Sequence, residues 1–334
     1  MEQKKMRLLL FLTLMLSVCF NANAQLEETR LIITDGLEKE SLKQIIQQNI
    51  SDILVCCNDA VIKGKNPGFG KLNITSNGKS VLLAMWKSST MSCPVSKLDR
   101  SCVIRPNNGG YQIRNIPVTM HDAPEGTQDQ EIVINLTIDG AIDDIFIPIH
   151  QYGDILSKNV SVEDFGRRQI IIDFVEKFRT SYNQKDIEYI RKVFSNDALI
   201  ITGKVIKQLP NSDDALQSLG KEKVAYQVST KEEYVNRLTG TFKRNKYINV
   251  VFDEVKVIRH PVYKDIYGVT VKQEWNSSTY SDVGYVFLMI DFRDEFNPLI
   301  QVRTWQPYEY NGKLLSRDEI FSLGSFDAIY RDIN

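Results

Sequence analysis

Histidine is scarce in this chain: His121, His150 and His260 are the only three in 334 residues, and they lie far apart. The five cysteines fall in no C-x-x-C spacing, so the residues that build a zinc or iron–sulfur centre are not grouped anywhere. Neither sign of charge dominates. Lysine and arginine number 41 against 42 acidic residues, for a net charge of −1, a balance that gives no electrostatic reason to expect nucleic acid. Past the first 24 residues there is no apolar run near the ~20 residues that cross a bilayer. Short-period repeats, low-complexity tracts and cofactor fingerprints are missing too, and no cofactor is implied. What remains is ordinary globular composition, 43% hydrophobic and 25% charged, at a length that suggests two domains.

The N-terminus reads as an export signal. Lys4, Lys5 and Arg7 precede a thirteen-residue apolar core, residues 8–20, and Ala22-Asn23-Ala24 supplies a small-x-small cleavage site before Gln25. Cleavage there removes three cations against Glu2 and takes the net charge from −1 to −3. Leu16-Ser17-Val18-Cys19 resembles a lipobox, but Val18 stands where a small residue is wanted, so a soluble periplasmic or extracellular protein is the expectation over a lipoprotein anchored at Cys19. Export permits disulfides among Cys56, Cys57, Cys93 and Cys102, and Cys93–Cys102 is the favoured pair. Cys57 sits on an apolar helix face and reads as a buried thiol.

Residues 25–160 read as an α+β domain. Asp35 and Glu38 stand in capping-box spacing, and Leu42, Ile46, Ile50, Ile53, Cys57 and Val61 recur at helical period to about Lys63. A Gly/Pro/Lys break follows at 64–70. Asn77-Gly78 between the apolar runs 72–74 and 81–86 predicts a hairpin, with Trp86 a core residue. Further hairpins are expected across 107–110, between strands 102–105 and 111–120, and across Asp139-Gly140, between strands 131–138 and 142–149. The alternation in 131–136 suits a sheet with one face on the helix. Residues 151–159 form a polar connector, and the boundary falls near 160.

The second domain, 161–334, opens at Ser161, which with Asp164 imitates a capping box. Phe165, Ile171, Phe174, Val175, Phe178 and Tyr182 then form an apolar stripe. Asn183-Gln184-Lys185-Asp186 breaks it, and Ile187, Ile190, Val193 and Phe194 predict a short second helix. A strand at 198–207 precedes a long polar connection, 209–225. Thr230 and Glu233 cap a third helix bearing Tyr234, Leu238 and Phe242. Strands are expected at 248–259, 267–275, 283–292 and 299–306. Asp197 reads as a turn residue.

These residues carry a resemblance. Phe174 to Gly203, with its aromatic helix, Asn183-Gln184-Lys185-Asp186, and Phe194-Ser195-Asn196-Asp197-Ala198, resembles the nuclear transport factor 2-like superfamily. Thr230 to Tyr234 and Val302-Arg303-Thr304-Trp305-Gln306-Pro307 extend the match over the last half of the chain. The resemblance implies a cone of three helices on a curved antiparallel sheet, with an apolar pocket between them. It implies members that are isomerases, dehydratases and cyclases, and others that only bind or dimerise. Carried over residue by residue, the isomerase aspartate falls at Thr202 and its tyrosine at Phe178, so neither the base nor the phenol donor is present. The dehydratase histidine has no match either.

The candidate ligand-binding set is Tyr182, Gln273, Trp275, Tyr285, Asp291, Arg303 and Trp305. Period-two spacing puts Gln273 with Trp275, Gln301 and Arg303 with Trp305, and Tyr285 with Asp291 on shared strand faces. Turned inward, they line an aromatic pocket with an Arg–Asp polar end for an elongated ligand with one polar or anionic group. Turned outward, they form a dimerising face with an Arg303–Asp291 ion pair. The expectation is a non-catalytic exported protein that binds a small apolar ligand or forms a homodimer. The alternative is a lyase or isomerase using Asp291 or Glu274 as its acid.

Overall fold

The computed structural model describes residues 28–106, 109–149, 162–207 and 222–326. The signal segment, His150, the connector at 151–159, the Ser161 cap and most of the 209–225 connection lie outside them. The described chain is mixed α and β, with five helices and two six-stranded sheets in which antiparallel pairs predominate.

The first sheet begins with a strand that has no counterpart in the sequence expectations. β1 (Arg30–Asp35) pairs parallel with β3 (Lys97–Ile104), and the long helix α1 (Glu40–Lys63) crosses between them. The α1 stripe is as expected: Leu42, Ile46, Ile50, Ile53 and Cys57 are buried, and Gly64 closes the helix with φ of 57°. The Asp35–Glu38 box does not form. Asp35 instead accepts from the Gly36 amide, and Lys39 occupies the N-cap without a side-chain bond.

The expected Asn77-Gly78 hairpin is a helix, α2 (Ser76–Ser88). Thr75 caps it by accepting from the Gly78 amide at 3.0 Å and is itself held by Asp143. The apolar run 81–86 suits strand or helix by composition, but it buries Leu82, Met85 and Trp86 at helical spacing and leaves Leu83 exposed. Gly78 is needed for packing, not turning: a Cβ there would stand 2.6 Å from the Ile142 carbonyl oxygen.

β4 (Tyr111–Met120), β5 (Asp129–Leu136) and β6 (Ile142–Phe146) complete the sheet as antiparallel neighbours, and β2 (Met91–Ser92) adds to the far end of β4. That register separates the favoured cysteine pair. Ser92, beside Cys93, faces Thr119, whereas Cys102 faces Ile113 six residues along β4, on the order of 20 Å at ~3.3 Å per residue. A bridge needs Cα atoms within about 7 Å, and Cys56, Cys57, Cys93 and Cys102 are all free thiols.

In the second half, α3 (Val162–Asn183) leads into α4 (Ile187–Val193), capped by Asp186 accepting from the Tyr189 amide. Strand β7 starts at Phe194 rather than Ala198 and runs to Lys207. Asn196 and Asp197 fall in an irregularity where Phe194 and Leu199 face Ile300 and Val302, so the expected turn at Asp197 is a bulge, exposed and pointing nowhere near the interior. The end of the 209–225 connection is strand β8 (Glu222–Ser229), antiparallel to β7. Helix α5 (Lys231–Arg244) has the full Thr230–Glu233 capping box. β9 (Ile248–Arg259), β10 (Ile266–Ser277), β11 (Ser281–Asp291) and β12 (Leu299–Pro307) follow as an antiparallel meander, and β12 then meets β7 in parallel. Register shifts in β9–β10 and β11–β12, with Glu254 at φ 49°, bend the sheet.

α3 explains how the two sheets share one molecule. Its apolar stripe of Ile171, Phe174, Val175, Phe178 and Tyr182 belongs to the core of the second sheet. Its other face, Asp173, Glu176, Arg179 and Thr180, is buried as well. The first sheet covers it with Gln112, Arg114, Asn135 and Asp144, while Ile113, Ile132, Ile134 and Ile145 of the same strands face the α1 side. That is why Val133 and Asn135 are buried, against the expectation of a sheet covered on one face only.

Candidate functional site

Two places gather polar groups that burial has perturbed. The first is the interior of the second half. Tyr182, in the last turn of α3, and Tyr234, in the first turn of α5, meet hydroxyl to hydroxyl at 2.6 Å. Arg303 on β12 lies over the Tyr234 ring, its guanidinium carbon 5.4 Å from the centroid. Trp275 on β10 packs edge-on against Tyr182, with centroids 5.9 Å apart. Gln273 and Trp305 share this inward face, 5% and 3% exposed. Thus Tyr182, Gln273, Trp275, Arg303 and Trp305 converge, and the two tryptophans and the arginine turn in toward the helices rather than out.

Tyr285 and Asp291 are placed elsewhere. On β11 the inward residues are Gly284, Val286 and Leu288, which pair with Gln273, Val271 and Val269. Tyr285 therefore points outward, 5.8 Å from Tyr308. Asp291 is held by Arg293 and Gln301, so neither an Arg303–Asp291 pair nor a shared Gln301–Arg303 face exists. Strand alternation turns Glu274 away from the interior too. The acid in the interior is one the sequence reading passed over as turn: Asp282, opposite Trp275 across β10–β11 and accepting from Tyr280 at 2.8 Å. Burial raises its carboxyl above the usual range, with the Tyr280 hydrogen bond and then Arg303 pulling the other way. Tyr234 was likewise read only as helix core. The one available signal for it was the capping box, which fixes its place in the first turn of α5.

The interior holds donors without acceptors. Nε and Nη1 of Arg303, and Nε1 of Trp305, are buried with no hydrogen-bond partner among the described residues, as is the acceptor Oδ1 of Asp282. Burying an unpaired donor costs ~1–3 kcal/mol, more when it is charged. The Trp305 ring is seated by glycine: a Cβ on Gly284 would lie 2.4 Å from Nε1, and one on Gly203 2.8 Å from the ring. Tyr182 is held well above its ordinary phenol range, first by burial and then by Tyr234. The positions carried from the isomerases are placed by their neighbours. Phe178 lies in an aromatic cluster with Phe174, Tyr182 and Phe194, and Thr202 is half-buried on β7 with its hydroxyl 3.5 Å from the Gln227 carbonyl.

The second place is the seam between α3 and the first sheet. Arg114 donates to Glu176 at 2.6 Å, and the Ile149 amide donates to the same oxygen at 2.7 Å. Asp173 accepts from the Gln112 amide at 3.1 and 3.2 Å and meets Arg105 at 3.4 Å. Lys177 pairs with Asp144, and Arg179 donates to the Pro148 carbonyl. Burial pushes Glu176 up to about 7 against the pull of Arg114, and raises Asp173 and Asp144 against Arg105 and Lys177. It also lowers Arg179 to about 10. Among the described residues no cluster of His, Cys, Asp and Glu is placed to hold a metal, and no helix is long and apolar enough to cross a membrane.

No protein-family model and no curated protein matches this chain. Solved structures show likenesses. An NTF2-like protein from Cytophaga hutchinsonii is 15% identical over 42% of this chain and 98% of its own, with a TM-score of 0.31. A candidate scytalone dehydratase from Novosphingobium aromaticivorans is 11% identical over 46% and 91%, with a TM-score of 0.32. Bd1075 of Bdellovibrio bacteriovorus is 13% identical over 63% and 75%, with a TM-score of 0.33.

Proposed function

We propose that this is an exported, non-catalytic binding protein of two domains, 25–160 and 161–334, released from a signal peptide at residues 1–24. The second domain is then an NTF2-like cone of α3, α4 and α5 on the curved sheet, and its interior takes an elongated apolar molecule with one anionic group. The observation that carries this reading is Arg303: a guanidinium 6% exposed, with two unpartnered nitrogens, beside the unpartnered Trp305 Nε1 and the Tyr182–Tyr234 pair. A carboxylate would accept from those donors, and the surrounding rings would hold its apolar body.

The test is titration of the full chain with decanoate and with decanol, read by tryptophan fluorescence. The expected result is tight decanoate binding, weaker decanol binding, and loss of the difference in Arg303→Met. Equal binding of the two, or binding of neither, overturns the reading.

Asp282 supports the alternative of a lyase or isomerase, since a carboxyl raised by burial beside the Tyr280 phenol has the makings of a general base. That reading predicts turnover of an apolar substrate that Asp282→Asn abolishes. A homodimer would use residues other than Trp275 and Trp305, which are 8% and 3% exposed within the protomer.

A further inference from the structure

We infer that the seam between the first sheet and α3 holds a second ligand site, built for a small zwitterion of amino-acid size. It stands apart from the interior described above and shares none of its polar groups, although Phe174 borders both. A cavity of ≈ 220 Å³ opens there, walled by Asp144 of β6, Asp173 and Lys177 of α3, Arg105, and Lys192 of α4. At ~30 Å³ per water that is room for about seven waters, a volume suited to one amino acid rather than to a drug-sized ligand.

The charge pattern selects the ligand. Asp144 and Asp173 are 7% and 8% exposed. Lys177 pairs closely with Asp144, whereas Asp173, though it accepts from Gln112, has only long ion pairs. Asp173 meets Arg105 at 3.4 Å and Arg114 at 3.8 Å, well beyond the ~2.7–2.9 Å of a strong charge-assisted bond. Desolvation holds both carboxyls above their usual range, and Asp173, with its loose ion pairs, has room for one more cation. An ammonium group fits that need. A bare amine is disfavoured by the three cations on the same wall, and a bare carboxylate by the two acids. A molecule carrying both groups a few bonds apart satisfies each. Lys192 is exposed at the rim and available to the ligand carboxylate. Apart from Asn135 and Asn297 the remaining wall is apolar and aromatic, with Phe174 and Tyr189 lining it and Phe296, 82% exposed, at the mouth. The ligand class is therefore an α-amino acid with an apolar side chain.

The experiment is calorimetric titration of the full chain with L-leucine and L-phenylalanine, beside leucinamide, which lacks the carboxylate, and 4-methylvalerate, which lacks the ammonium. One of the two amino acids should bind, and both leucine analogues should bind at least tenfold more weakly than leucine. Asp144→Asn should abolish binding. Lys192→Met, a rim change with no buried contact to disturb, should weaken it about tenfold while leaving the melting temperature unchanged. Arg303→Met should leave it intact, which separates this site from the interior one. Absence of binding by both amino acids at millimolar concentration overturns the inference, as does equal binding of 4-methylvalerate or leucinamide, or indifference to Lys192→Met.

Discussion

Arg303 is the residue at which stability and ligand affinity pull in opposite directions. A buried guanidinium with unpaired nitrogens destabilises the empty protein and gains most when a ligand supplies acceptors. Arg303→Met should therefore gain about 1 kcal/mol of stability while losing preference for anionic ligands; urea titration and the decanoate assay read the two effects separately. Gly284 works by lacking a side chain. In Gly284→Ala the new methyl would meet Trp305 Nε1 and the Gln306 carbonyl, both at 2.4 Å, so a loss of about 1–3 kcal/mol is expected in the same titration. Strand parity put Gln273, Trp275, Arg303 and Trp305 on common faces from the sequence alone. It left open which way those faces point, because both faces of this sheet carry large residues. Asp282, on the same inward face, was hidden because turn chemistry and site chemistry use the same side chain.

Among the elements, α3 carries the most consequence, because both of its faces are buried. Its polar side docks on the first sheet through Arg114, Glu176, Asp173 and Arg105. Buried pairs of this kind add little net stability, but removing one member leaves its partner uncompensated. Arg114→Met should cost about 3–5 kcal/mol, measured by thermal or chemical unfolding. The pH dependence has a definite sign. Glu176 titrates at about 7 when folded against 4.5 as its ordinary value, so the folded protein holds a proton that the unfolded chain has released. Its contribution is complete below pH 4.5 and is lost as pH rises through 7. Glu176→Gln removes that component. Unfolding free energies of the variant should fall less than those of the parent between pH 4.5 and 7, by up to about 3 kcal/mol. The long helices, the α5 cap and the C-terminal meander were readable in periodicity and capping chemistry. α2 was not, since a six-residue apolar run behind Asn-Gly fits a hairpin until Thr75 and Ile142 are seen to hold a helix there.

At the scale of the whole molecule, the outer face of the second sheet is covered by the chain itself. After β12 the strands β13 (Glu309–Tyr310) and β14 (Lys313–Leu314) turn at Asn311-Gly312, both at positive φ, a hairpin whose dipeptide stood in plain sight in the sequence. The chain then returns to lay Leu323 and Phe326 on Ile266, Phe287, Met289 and Val302, with Phe326 stacked on Phe287 at 5.5 Å. Gln306 pins this return through the Phe321 amide and the Glu319 carbonyl. A chain ending at Leu315 should expose those four residues and self-associate. Light scattering after size exclusion would show a dimer or larger species where the intact chain gives a smaller one.

Local chemistry in the sequence was enough for the two α+β halves, for most helices and strands, and for the residues that alternate onto each strand face, because these depend on neighbours a few positions away. Which faces meet is a long-range matter. That β1 joins β3, that a polar helix stripe is buried instead of solvated, that Cys93 and Cys102 stand far apart, and that Arg303 ends among tyrosines all depend on register and packing between segments distant in the chain. No local pattern encodes those, and only the folded structure decided them.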